Sequence, residues 1–128
     1  MEKTKLNVMI VDDSSLVGER IRNLVKETEG IKIIAQVESA AAAIKFIESR
    51  EPDVILLDIN MPGGSGVEFL KNVKKSYSNI IVIMLSNFSD RYYRNLCEQY
   101  GADYFFDKSM EFEKVLDVLV ATRQALSK

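Results

Sequence analysis

Val54-Ile55-Leu56-Leu57-Asp58 is an apolar run closed by a carboxylate, and three other stretches of this chain are built the same way. They are Val8-Met9-Ile10-Val11 into Asp12-Asp13, Ile80 through Leu85 into Ser86, and Tyr104-Phe105-Phe106 into Asp107-Lys108. A strand covered on both faces of a parallel sheet reads as a continuous apolar run. An open α/β sheet places its ligand site outside the carboxyl ends of such strands. The four endings would therefore gather carboxylates, a hydroxyl and an ammonium on one rim.

The segments between the runs have helical spacing. Leu16, Val17, Ile21, Leu24 and Val25 recur at three and four residues, the stripe of a helix lying on a sheet, with Ser14 placed to cap it. Gly30 ends that helix, and residues 31–37 read as a half-covered strand. Residues 39–51, with alanines 40 to 43, form a second helix that Pro52 stops. Residues 61–66 are a loop by their glycine and proline content. Val67, Phe69, Leu70 and Val73 mark a third helix ending near residues 77–79. A fourth spans 90–100 and is closed by Gly101. Phe112, Val115, Leu116, Leu119 and Val120 stripe a fifth. A β-α alternation repeated five times predicts an α/β fold, a parallel sheet with helices on both faces.

The bulk numbers narrow the function. A chain of 128 residues, 47% hydrophobic and 28% charged, is expected to be a single domain, residues 1–128, with a real core. A net charge of -2, from 17 basic and 19 acidic residues, offers no basic footprint for direct nucleic-acid binding. One cysteine excludes an internal disulfide and suits a reducing cytoplasm. The absence of histidine removes imidazole metal sites, histidine-based triads and a phosphohistidine on this chain. No apolar stretch is long enough to insert in a bilayer, and residues 1–5 lack the apolar segment of a secretory signal.

Val11-Asp12-Asp13, the stretch Asp58 to Gly66, Ser86, Gly101-Ala102-Asp103 and Lys108 occur in order at successive strand ends. Together they resemble the receiver domain of two-component response regulators, over residues 6 to 126. The resemblance implies a doubly wound, flavodoxin-like (βα)5 fold with strand order 2-1-3-4-5. It also implies a stand-alone response regulator that accepts a phosphoryl group on Asp58 from a sensor histidine kinase or histidine phosphotransfer protein. Such a protein phosphorylates and dephosphorylates itself and is not a turnover enzyme on an external substrate.

The residues support that chemistry independently. Asp12, Asp13 and Asp58 would repel one another if all were ionised, raising at least one pKa unless a cation sits among them. Oxygen ligands without His or Cys suit Mg²⁺. By resemblance, Asp13 and Asp58 bind the metal through carboxylates, Asp12 largely through water, and Asn60 through its backbone carbonyl. Lys108 and the metal would neutralise phosphoryl oxygens in the transition state. Ser86 is the implied switch hydroxyl and Phe105 the aromatic that follows it inward.

Taken singly, these residues have plainer readings. Asp12 or Asp13 can cap a helix, Ser86 can be a loop hydroxyl, Lys108 a solvated lysine, and Phe105 plain core. Cys97 reads as a packing residue. Of the 11 aromatic residues, seven fall between Phe88 and Phe106. Core packing is the first expectation for them. The other is a partner surface on the fourth helix, fifth strand and fifth helix, for a downstream protein or a phosphorylation-dependent dimer in place of a monomer.

One departure from the family concerns Ser109, where proline in a cis peptide is usual. A cis bond before a non-proline residue costs about 2.5–4 kcal/mol, so the peptide is either trans with a reshaped loop or strained. Another is Phe88, two residues past Ser86, which is expected to shield a phosphoryl group from water. Competing classes fit less well. A haloacid-dehalogenase phosphohydrolase needs Asp-x-Asp after its first strand, and a flavodoxin-like cofactor binder needs a phosphate-cradling loop where Asp12-Asp13 stand. The alternative left open is a non-phosphorylated, receiver-like interaction module.

Overall fold

The computed structural model describes residues 5–59, 66–87 and 91–126. Its elements are β1 (Leu6–Val11), α1 (Ser15–Val25), β2 (Ile31–Val37), α2 (Ala40–Ser49) and β3 (Val54–Asp58). They continue as α3 (Gly66–Ser76), β4 (Ile81–Ser86), α4 (Arg91–Gln99), β5 (Tyr104–Asp107) and α5 (Lys114–Leu126). Every strand pairing is parallel, and the order across the sheet is β2-β1-β3-β4-β5, as the resemblance implied.

The apolar runs are buried on both faces because successive side chains of a strand point to opposite sides. Met9, Val11, Ile55, Leu57, Val82, Met84 and Phe105 form one core with Ala43 and Ile47 of α2, Leu70 and Val73 of α3, and Cys97 of α4. The residues between them, Val8, Ile10, Val54, Leu56, Ile83 and Leu85, form the other with Val17 and Ile21 of α1 and Val115 and Leu119 of α5. Each fully buried aliphatic chain contributes about 1.5–3 kcal/mol, so two filled faces fix the register. β2 is only partly buried along its length, as its mixed sequence predicted.

The helix ends follow from local chemistry. Ser14 caps α1, its Oγ accepting the Val17 N–H at 3.4 Å. Ser39 is the cap of α2 and lies outside the helix, accepting the Ala42 N–H at 3.1 Å. Ser49 is the last helical residue there, short of the expected Glu51, and Arg50 is already extended. Gly101 closes α4 with φ of 96°, and the Ala102 N–H reaches the Cys97 carbonyl at 2.9 Å. That closure needs a left-handed residue, which glycine supplies without strain. The fifth helix starts at Lys114, so Phe112 is buried ahead of it and not on it.

Two expectations are corrected. Leu16 is 63% exposed and does not join the core stripe. It sits one residue, about 100° of helix rotation, ahead of the buried Val17–Ile21–Val25 line. Core packing also fails for Tyr92, Tyr93 and Tyr104, which are exposed. The described part of α4 buries only Cys97, so its aromatics turn outward. Among the described residues of that group Phe105 alone is buried, with Tyr100 and Phe106 packed partly buried against the two cores. Cys97 is a packing residue, as expected, with burial pushing its thiol up to about 11 and leaving little reactive thiolate at neutral pH. Among the described residues, no helix is long and apolar enough to cross a membrane.

Candidate functional site

The rim residues are held by hydrogen bonds that continue the sheet past its strand ends. The Asp12 N–H bonds the Val37 carbonyl at 3.0 Å, the Ile59 N–H bonds the Leu85 carbonyl at 3.0 Å, and the Lys108 N–H bonds the Ser86 carbonyl at 2.8 Å. Asp58 itself is the last residue of β3, paired in register with Leu85. Backbone positions at the site are thus set by the same ladder that sets the core.

Asp12, Asp58 and Lys108 meet there. The Lys108 Nζ lies 2.8 Å from Asp12 Oδ2 and 3.3 Å from Asp58 Oδ1, and all three residues are buried. Asp12 also accepts the Ser14 N–H through Oδ1 at 2.8 Å, so it orders the loop into α1 while facing the lysine. Burial raises the Asp12 carboxyl above its ordinary range, against the lowering effect of Lys108 and the Ser14 N–H. Repulsion from Asp58 is the smallest cause, so desolvation, and not the crowding of aspartates foreseen above, dominates.

Asp13 is exposed and completes the acidic group. Asp12, Asp13 and Asp58 each offer a carboxylate oxygen, all within 4.8 Å of one another. The three carboxylates are close enough together that they would serve one Mg²⁺ as ligands. The donor set contains oxygen alone, which fits a hard cation.

Ser86 is buried at the end of β4, opposite Asp107 of β5. By strand alternation it shares the α4 side with Met84 and Phe105. Phe105 is in the core, and the Arg94 guanidinium of α4 stands 4.8 Å above its ring. Asn60, the loop residues 61–65 and Phe88 lie outside the described residues.

Sequence reasoning missed part of the site. A groove of about 320 Å³ opens over Asp58 and Lys108, and Leu16, Arg20, Asn87 and Ser109 also line it. Leu16 and Arg20 are four apart, one face of the first turns of α1, which was the available signal. Gly66, read from the sequence as the end of a loop, is instead the first residue of α3. A Cβ there would stand 2.5 Å from the Asp58 carbonyl oxygen and 2.8 Å from Ile59 Cα. These are backbone atoms of the strand end, which cannot yield. Gly66→Ala is therefore expected to cost about 1–3 kcal/mol in urea unfolding. An unchanged midpoint would mean that α3 tolerates displacement from β3.

The Lys108–Ser109 peptide is trans, which decides between the two alternatives at that bond. Beyond it, Glu111 accepts from Asp107 N–H at 3.1 Å and Arg94 at 3.4 Å through Oε1, and from Lys114 at 2.9 Å through Oε2. Lys114 first, then the Asp107 N–H, hold the Glu111 carboxyl below its ordinary 4.5. A depressed acid contributes stability that is present above the unfolded value and is lost as pH falls through the folded one. Acid unfolding should accordingly show wild type more stable than Glu111→Gln at neutral pH, with the gap closing below pH 4.5. A gap that persists unchanged in acid would assign the difference to packing.

Residues 8–120 match the response regulator receiver domain family. Similar curated proteins include the DNA-binding transcriptional activator EvgA of Escherichia coli, 28% identical over 118 residues, covering 92% of this chain and 57% of EvgA. Another is the transcriptional regulatory protein DegU of Brevibacillus brevis, 27% identical, covering 97% of this chain and 52% of DegU. The chain spans about half the length of the curated relatives it matches. Among solved structures, a CheX–CheY–BeF3–Mg complex from Borrelia burgdorferi matches with TM-score 0.81 and 28% identity, over 91% of this chain and 88% of that one. The signal receiver domain of NarL from Mycobacterium tuberculosis matches with TM-score 0.82 and 25% identity, over 94% and 97%. The chain has a parallel 2-1-3-4-5 sheet with an acidic group at its rim, the arrangement of a receiver domain. It belongs to the response regulator receiver family, whose general function is phosphorylation on an aspartate and whose acidic pocket binds Mg²⁺.

Proposed function

We propose that Asp58 is the phosphoacceptor of this chain and that residues 1–128 act as one receiver domain. The observation that carries the reading is the Lys108 ammonium bridging Asp12 and Asp58 at the strand ends. A carboxylate oxygen of Asp58 attacks the phosphorus of a phosphohistidine on a histidine kinase or phosphotransfer protein. The P–N bond breaks, the imidazole leaves, and an acyl phosphate forms on Asp58. Lys108 is positioned to balance charge on the transferred oxygens. Asp12, Asp13 and Asp58, with the Asn60 carbonyl, would hold Mg²⁺, which supplies charge neutralisation for the phosphoryl group when bound. Water later cleaves the acyl phosphate, regenerating Asp58 and releasing phosphate, so no external substrate is turned over.

Ser86 would bond the phosphoryl oxygen, and Phe105 would follow on the same side of the sheet, biasing α4. The exposed Tyr92, Tyr93 and Tyr104 support docking of a downstream protein, or of a second copy, on the α4–β5–α5 face. A cytoplasmic location accords with the single buried thiol. Incubation with Mg²⁺ and acetyl phosphate, read by intact mass, tests the reading. One added phosphoryl group, lost with a chelator, is expected. No label from acetyl phosphate or a phosphotransfer protein would leave the interaction module.

A further inference from the structure

The long side chain of Lys108 reaches two buried carboxylates only if the backbone that launches it is fixed. Its own N–H is fixed to Ser86, as above. On its other side the chain turns away from the sheet, and Asp107 builds that turn. The Asp107 Oδ1 accepts the Ser109 N–H at 2.7 Å and the Met110 N–H at 3.0 Å. The Asp107 carbonyl accepts the Glu111 N–H at 2.9 Å, and the Glu111 carboxylate accepts the Asp107 N–H in return. Residues 107–111 are thereby closed on themselves, with Lys108 inside the ring.

Asp107 is 5% exposed, an unusual place for a carboxylate unless its hydrogen bonds are satisfied. A helix cap would be the plainer role. Yet α5 begins only at Lys114, and the amides that Asp107 gathers directly follow Lys108. The Ser109 amide is available because residue 109 is not proline and its peptide is trans.

We propose that Asp107 is a positioning residue for phosphoryl acceptance, holding the Lys108 backbone so that its ammonium stays on Asp58. This rests on the reading of Asp58 and Lys108 given above. The full chain is labelled with acetyl phosphate and Mg²⁺, and initial rates are read by intact mass. Asp107→Ala is expected to slow labelling by about 10- to 100-fold, the scale of a misplaced catalytic group. Asp107→Asn, whose amide oxygen accepts the same two N–H groups, should stay within about threefold. Asp107→Ala in a Lys108→Ala background should add nothing, because the two act as one unit. Should Asp107→Ala fail to fold by circular dichroism, Glu111→Ala opens the same turn from its other end, with the same two expectations. Wild-type rates in the folded alanine variant, or a full further loss in the Lys108→Ala background, would overturn the proposal alone. An unlabelled wild-type chain would overturn the phosphoacceptor reading with it.

Discussion

Asp58→Asn is expected to eliminate phosphoryl labelling while leaving the fold in place. Asparagine preserves shape and removes the anionic nucleophile at the end of β3. Stability should not fall much, because Lys108 keeps its 2.8 Å bond to Asp12. The substitution also removes one of two carboxylates that share a single ammonium in a buried setting. Intact mass after acetyl phosphate treatment, with a thermal melt beside it, separates loss of chemistry from loss of structure. Label that persists at one group per chain would move the acceptor to another residue.

Lys108→Ala should produce the other large effect, on two quantities at once. Labelling is expected to slow by about 10²- to 10³-fold, the usual loss when one charge-stabilising donor is removed. Folding stability in chelator should drop by about 3–5 kcal/mol, because buried Asp12 and Asp58 lose their shared counter-charge. Added Mg²⁺ should then restore more stability to the variant than to wild type, since the ammonium no longer competes for the same oxygens. Denaturant melts with and without Mg²⁺ check the sign. Equal Mg²⁺ stabilisation in both proteins would mean that Lys108 and the cation occupy separate parts of the site.

Much of this arrangement is legible in the sequence. The strands could be read because a doubly covered strand leaves an unbroken apolar run, and the site because each run stops on a polar residue at the same end. What escaped depends on rotation and on partners. Leu16 and Val17 are both apolar, and only the seating of α1 buries Val17 and leaves Leu16 exposed. The tyrosines of α4 have the composition of a core and lie on a helix with one buried residue. Asp107 was visible only as the neighbour of Lys108. Its work depends on which amides the turn presents, and that followed from a trans bond the sequence left undecided.

The uneven seating of two neighbouring helices has a mechanical consequence. α3 buries Val67, Phe69, Leu70 and Val73, with Gly66 against β3, whereas α4 fully buries Cys97 alone among its described residues, with Leu96 packed beside it and Arg94 held by Phe105 and Glu111. Displacing α4 forfeits about the 1.5–3 kcal/mol of its one fully buried side chain, with the smaller contacts of Leu96 and Arg94 added. A new phosphoryl charge with its one to three charge-assisted hydrogen bonds works on that scale. Moving α3 would cost several times more. The frame is therefore stiffer at α3 than at α4, and on the proposed reading work done at the rim would be delivered along α4.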